Sequence, residues 1–224
     1  MTGLRCEAWG LGELVALARL ACGEWEPPRS LFDRGRDRVR PEPGWWPVWQ
    51  RVWLLGDGGS LWALACDSRA ACAFEMRGSA PGEPVGVPSP LLLALSGKSP
   101  RGGAAVAVEG GSGELAHLYK GYTGQVGRGR PARFAAMPAP PSVMRVFRET
   151  VDRGEARGTE VSVEPSALAA GLAALGERCA HWMYSPARVS VSRGIARAWS
   201  DDAGAGRCAM ACACRMPVGD GDAL

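Results

Sequence analysis

The sequence predicts an α+β fold made of one unit repeated: a short apolar strand, a leucine-bearing helix, then antiparallel strands, with the helices on one face of the sheet. Two strand-to-helix junctions carry this expectation. Val85-Gly86-Val87 runs into Pro88-Ser89-Pro90 and the leucines from Leu91 to Leu95; Val161-Ser162-Val163 runs into Glu164-Pro165-Ser166 and then Leu168, Leu172 and Leu175. In both, a leucine follows the second valine by five residues, Leu92 after Val87 and Leu168 after Val163. The third observation is that hairpin material with glycine- or aspartate-rich turns follows each helix, as expected of antiparallel strands with a buried face.

In chain order, the first copy opens on Leu4-Arg5-Cys6 and carries Leu11 in the equivalent helical place. Its hairpin is Val52-Trp53-Leu54-Leu55, the turn Gly56-Asp57-Gly58-Gly59, and Leu61 to Asp67. The second copy has Val106-Ala107-Val108, a turn from Gly110 to Gly113, and Leu115 to Tyr119. The third has Arg188 to Ser192, Ile195 to Trp199, a turn from Asp201 to Gly206, and Cys208 to Cys214.

Composition narrows the class. A chain of 224 residues with 46% hydrophobic and 22% charged residues can bury a core, which excludes a disordered protein. No apolar stretch is long enough to span a membrane and no secretory leader opens the chain, so a cytoplasmic protein is expected. Arginine outnumbers lysine twenty-four to two, the mark of a GC-rich genome more than of a binding surface.

The eight cysteines raise the question of a metal. C-x-x-C spacing occurs nowhere, and Cys208, Met210, Cys212 and Cys214 share one parity along a strand with Ala209, Ala211 and Ala213 on the other. They read as reduced core residues, so neither a metal nor another cofactor is expected. His117 and His181 lack a nucleophile or carboxylate motif beside them, and Gly97-Lys98-Ser99 lacks the upstream glycine of a phosphate loop. Asp201-Asp202 sits where paired aspartates serve a turn. The chain is therefore not expected to be an enzyme.

Several segments resemble the bacterial sliding clamp, the β subunit that tethers a replicative DNA polymerase to its template. Val52 to Met76, with Leu61-x-Ala63-Leu64-Ala65-Cys66-Asp67, resembles the clamp's first long hairpin; Gly82 to Pro88 followed by Leu92 resembles the strand and helix opening the second half of a clamp domain. Arg133-Phe134 to Met137-Pro138 resembles the segment leaving one domain for the next, and Met216-Pro217-Val218 resembles the ending of the last strand. The family has three domains of two halves each, whereas three halves are legible here. They are expected as a full domain over residues 1–138, a linker over 139–157, an unpaired half over 158–218 and a small acidic tail over 219–224. An insertion over 23–50, rich in Pro, Trp and Arg (Arg29, Arg34, Arg36, Arg38, Arg40), interrupts the first half. These departures fit a divergent, shortened clamp of phage or plasmid type, or a clamp-derived protein with another task.

The resemblance implies a processivity factor that encloses double-stranded DNA as a homo-oligomeric ring, joined head to tail through edge strands, and recruits DNA polymerase, with a clamp loader as a further partner. It implies basic residues on the helix side, for which Arg19, Lys98, Arg101 and Arg178 are the candidates, and a partner-peptide pocket walled in part by Met216, Pro217 and Val218. Two other readings stand beside it: a non-ring DNA-binding module using the arginine-rich insertion, and a clamp-mimicking interaction or inhibitor protein.

Overall fold

Apolar alternation sets the strands, and paired glycines set where they turn. In the first half, β1 (Leu4–Trp9) leads into α1 (Leu11–Ala21), and β2 (Arg51–Asp57), β3 (Ser60–Cys66) and β4 (Ala70–Ser79) form a meander. The second half follows the same order with β5 (Val85–Pro88), α2 (Ser89–Leu93), β6 (Gly103–Glu109) and β7 (Ser112–Lys120), and its last strand is broken into β8 (Val126–Arg128) and β9 (Ala132–Ala135). Then come α3 (Pro141–Val151), β10 (Ser162–Val163), β11 (Arg188–Ser192), β12 (Ile195–Asp202) and β13 (Gly206–Arg215). The computed structural model describes residues 4–21, 48–67, 70–151, 162–163, 188–192, 195–202 and 206–215.

Asp57 faces Ser60 across Gly58-Gly59, and Glu109 faces Ser112 across Gly110-Gly111. All four glycines have positive φ between 57° and 82°, the backbone that a two-residue hairpin of the right twist requires. The first and second halves are joined by two antiparallel ladders. Leu4–Trp9 of β1 lies along Gly103–Val108 of β6, and Arg51–Leu54 of β2 lies along Val85–Pro88 of β5. Since β5 is to the second half what β1 is to the first, the two ladders are related by an approximate internal two-fold.

One apolar layer sits on the α1 and α2 side of this sheet. Leu14, Leu17, Ala18 and Ala21 of α1 and Leu92 of α2 pack on Cys6, Ala8, Leu54, Ala63, Cys72, Phe74, Val106 and Leu115, so both halves contribute to one apolar layer. Each fully buried leucine there is worth about 1.5–3 kcal/mol of transfer free energy.

Helix α3 lies within the stretch expected as a linker, and it covers the opposite face. Val143, Val146 and Phe147 pack there with Trp49, Trp53, Leu55, Trp62, Leu64, Ala71 and Ala73. The expected placement of helices on one face holds for α1 and α2, while α3 adds a helix on the other. Its seat is flat because Ala71 and Ala73 of β4 lie opposite Ala211 and Ala209 of β13, and all four are buried. Small side chains let a helix approach closely enough to bury its apolar stripe.

The third half joins the first through β4 and β13, paired from Ala70↔Cys212 to Cys208↔Phe74. The strands of all three halves thus form one connected network of ladders. Among the described residues no helix is long and apolar enough to cross a membrane.

Candidate functional site

The helix side is where the resemblance calls for positive charge. Arg19 is exposed in the last turn of α1. At about 100° per residue it points directly away from the Leu14, Leu17 and Ala21 stripe that holds α1 on the sheet. Lys98 and Arg101 are exposed on the connection from α2 to β6. That connection is tied to the opposite end of α1, for Gly12 N–H donates to the Pro100 carbonyl at 3.1 Å and Leu11 N–H to Gly102 at 2.9 Å. The three cations therefore share the helix side without forming a cluster: seven residues of helix, about 10 Å, separate Gly12 from Arg19. Arg178, Met216, Pro217 and Val218 lie outside the described residues. Val15 and Ala16, flanking Arg19 on the side away from the sheet, are also buried.

His117 belongs to this side. Its Nε2 is buried, so close to Gly102 that a side chain at position 102 would collide with it. Burial, with the Lys98 charge nearby, pushes its pKa below the ordinary histidine value.

Two polar constructions escaped the sequence reading. The first is Arg51, a buried arginine at the start of β2. Its Nη1 donates to the Gly86 carbonyl at 2.8 Å and its Nη2 to Ala135 at 3.2 Å, so one guanidinium links β2, β5 and the end of β9. Burial lowers its pKa from the usual arginine value. Beside it, Leu4, Val85, Val108, Met137 and Pro138 line an apolar cavity of about 400 Å³ beneath the strap that leaves β9. The only sequence signal was an arginine opening an otherwise apolar strand.

The second construction is the clasp between the first and third halves. Arg207 donates through its backbone N–H and Nε to Glu75 Oε2, at 2.9 and 3.1 Å, and through Nη2 to Oε1 at 3.2 Å. Ser60 Oγ donates to the same Oε1 at 2.5 Å, and the guanidinium lies 4.9 Å from the centre of the Trp62 ring. These bonds, those from Arg207 foremost, hold the Glu75 carboxyl down at about 2 against an ordinary 4.5. A carboxylate lowered by folding stabilises fully above its unfolded pKa and loses that contribution as pH falls towards its folded one. Stability is accordingly expected to decline between about pH 4.5 and 2 in the wild type, with a shallower decline in Glu75→Gln, as measured by urea unfolding at stepped pH. Equal slopes would mean that the clasp carries no weight.

Asp67 ends β3 and explains why an aspartate closes the Ala65-Cys66-Asp67 run. It is 1% exposed, its Oδ1 accepts from Ala70 N–H at 2.6 Å, and its own N–H donates to the Ala70 carbonyl at 2.9 Å. The carboxylate thus ties the end of β3 to the first residue of β4. Cys6, Cys66 and Cys72 are buried free thiols; burial foremost pushes Cys6 up to about 12.

Solved structures that superpose on this chain include DNA polymerase III beta subunits, the sliding clamps. A DNA polymerase III beta subunit from Eubacterium rectale superposes with a TM-score of 0.55 at 7% identity, over 96% of this chain and 66% of that one. The sliding clamps of C. crescentus and Pseudomonas aeruginosa give 0.51 at 14% identity and 0.50 at 13%, each over 95% of this chain and 65% of theirs. The chain has the sliding-clamp fold. It spans about 65% of the length of these clamp structures. No family model matches the sequence, and no curated protein does.

Proposed function

We propose that this chain is a sliding-clamp-type processivity factor, a non-enzymatic protein that associates into a ring around duplex DNA and recruits a DNA polymerase and other replication partners. The observation that supports this best is the connected sheet, with α1 and α2 on one side and the second and third halves each joined to the first by antiparallel ladders. That construction can be continued from subunit to subunit. Arg19, Lys98 and Arg101, with Arg178 in the third half, are proposed to face the DNA. They would act through a diffuse field that holds any sequence and permits sliding. Met216, Pro217 and Val218 are proposed as part of the partner-peptide wall.

Retention on circular against linear DNA tests the ring. The expected result is at least about tenfold slower loss from a closed circle than from the same molecule cut once, because a topological link is broken only by opening the ring. Equal loss from both forms rejects it. The double variant Lys98→Glu, Arg101→Glu is expected to weaken DNA binding uniformly across sequences and to lower the salt slope by about 2. An unchanged slope would remove both residues from the DNA-facing set.

A second reading is a clamp-fold interaction protein that holds partners without holding DNA. The enclosure of α1 favours it, since Arg19 is the one basic residue that helix carries. The absence of binding to any DNA form, together with capture of a replication partner, would select it.

A further inference from the structure

The third half repeats the first strand for strand. In the first half β1 pairs with the end of β4, β2 with β3, and β3 with β4. In the third, β10 pairs with the end of β13, β11 with β12, and β12 with β13. The equivalence makes β10 the counterpart of β1 and β11 the counterpart of β2. In the first half, β1 and β2 each carry a further ladder, to β6 and β5 of the second half. Among the described residues, β10 and β11 carry none.

We infer that the β10 and β11 edges of two copies pair with each other, β10 of one with β11 of the other and the reverse, so that two third halves complete one clamp domain across a two-fold axis. Three features of the structure name a second copy as the occupant. The join between first and second halves is already two-fold, with the strand that opens one half lying against the strand after the helix of the other. An edge made of one strand of each kind is therefore self-complementary, and a two-fold satisfies both ladders at once. Next, clamp halves do not close their own core: the layer under α1 needs Val85, Val87, Leu92, Val106 and Leu115 from the second half. Finally, the other edge of the third half, along β13, is already occupied by β4 and clasped by Glu75 and Arg207. The resulting pair has three complete clamp domains in a row and ends at both extremities on β8 and β9.

The backbone identifies the groups involved. Ser192 faces Ile195 with two residues between them in sequence, as Asp57 faces Ser60, and such closing pairs exchange both of their hydrogen bonds. Alternation then directs the N–H and C=O groups of Val189 and Val191 outward, to the edge where the second copy would pair.

The test uses the full chain without DNA. Sedimentation is expected to give twice the 23.6 kDa chain mass, and a single chain mass at tens of micromolar overturns the inference. Val189→Pro removes one outward N–H and leaves the β11 to β12 bonds intact, so it is expected to give a folded monomer; a folded variant that keeps the doubled mass overturns the inference. Should that variant fail to fold, hydrogen exchange on the wild type decides. The Val189 and Val191 amides are expected to slow by about tenfold from dilute to associated protein while Ser190 and Ser192 stay unchanged, and concentration-independent exchange at Val189 and Val191 overturns it. A dimer that dissociates equally from circular and linear DNA rejects the ring and leaves this pairing standing.

Discussion

Replacing Phe147 with alanine is expected to destabilise the protein by about 3–5 kcal/mol and to release α3 from the sheet. Phe147 is fully buried and meets the Trp62 ring edge-on, with centroids 5.5 Å apart at 65°. The floor beneath α3 offers little to fill the hole, because Ala71 and Ala73 are already as small as a side chain can be while retaining a Cβ. Two tryptophans then report the loss: Trp62 and Trp49, at 4% and 2% exposure, would meet water, and emission should shift to the red. Equilibrium unfolding in urea followed by fluorescence measures both effects. A loss below about 1 kcal/mol would show that α3 contributes little to holding the sheet together. The consequence reaches the third half, because α3 packs on both β4 and β13 and so spans the seam that Glu75 and Arg207 clasp.

The second large effect is expected at Gly78. Its φ of 147° and its place opposite Ala8 put its Cα directly beneath the Glu7 carbonyl, so that an added Cβ would fall on that oxygen. Both contacts are backbone, and a main-chain clash cannot be relieved by a rotamer change. Gly78→Ala is expected to cost about 3 kcal/mol or more, through loss of the short ladder between β1 and β4. Gly59→Ala supplies the comparison, since its φ is 81° with nothing within 4 Å of the added methyl; the left-handed backbone alone should cost about 1–2 kcal/mol. Thermal unfolding of the two variants side by side checks the ranking, and equal destabilisation would refute the steric argument.

What could be read from the sequence was what is encoded locally. Paired glycines at 58–59 and 110–111 demand positive φ, so both hairpins were visible with their turns in place. The strands into Pro88 and at Leu4-Arg5-Cys6 were visible in the repeat, with Leu11 and Leu92 in the equivalent helical places, and Leu11 and Leu92 are both buried. Helix α3 was missed although Val143, Val146, Phe147 and Thr150 stand at helical spacing and are all buried. The stretch was expected as a linker because it lies between two clamp-like segments, yet Pro141 stands at the start of a helix, where its missing N–H costs nothing. Arg51 was missed for another reason: its partners are two carbonyls, Gly86 and Ala135, and a backbone oxygen leaves no mark in a sequence.

The candidate site divides in the same way. That Lys98 and Arg101 follow a helix could be read along the chain; that they lie at the far end of α1 from Arg19 depends on a hydrogen bond from Gly12 to Pro100, 88 residues on. Sequence by itself determined the strands, helices and hairpin turns of the first two halves, because φ preference and side-chain periodicity act within a few residues. Only the tertiary structure decided that the third half lies along β4, that α3 covers the face opposite α1 and α2, and that Glu75 meets Arg207 across 132 residues. Those outcomes depend on which edges and faces remain to be buried once the local elements exist, and the whole fold settles that competition at once.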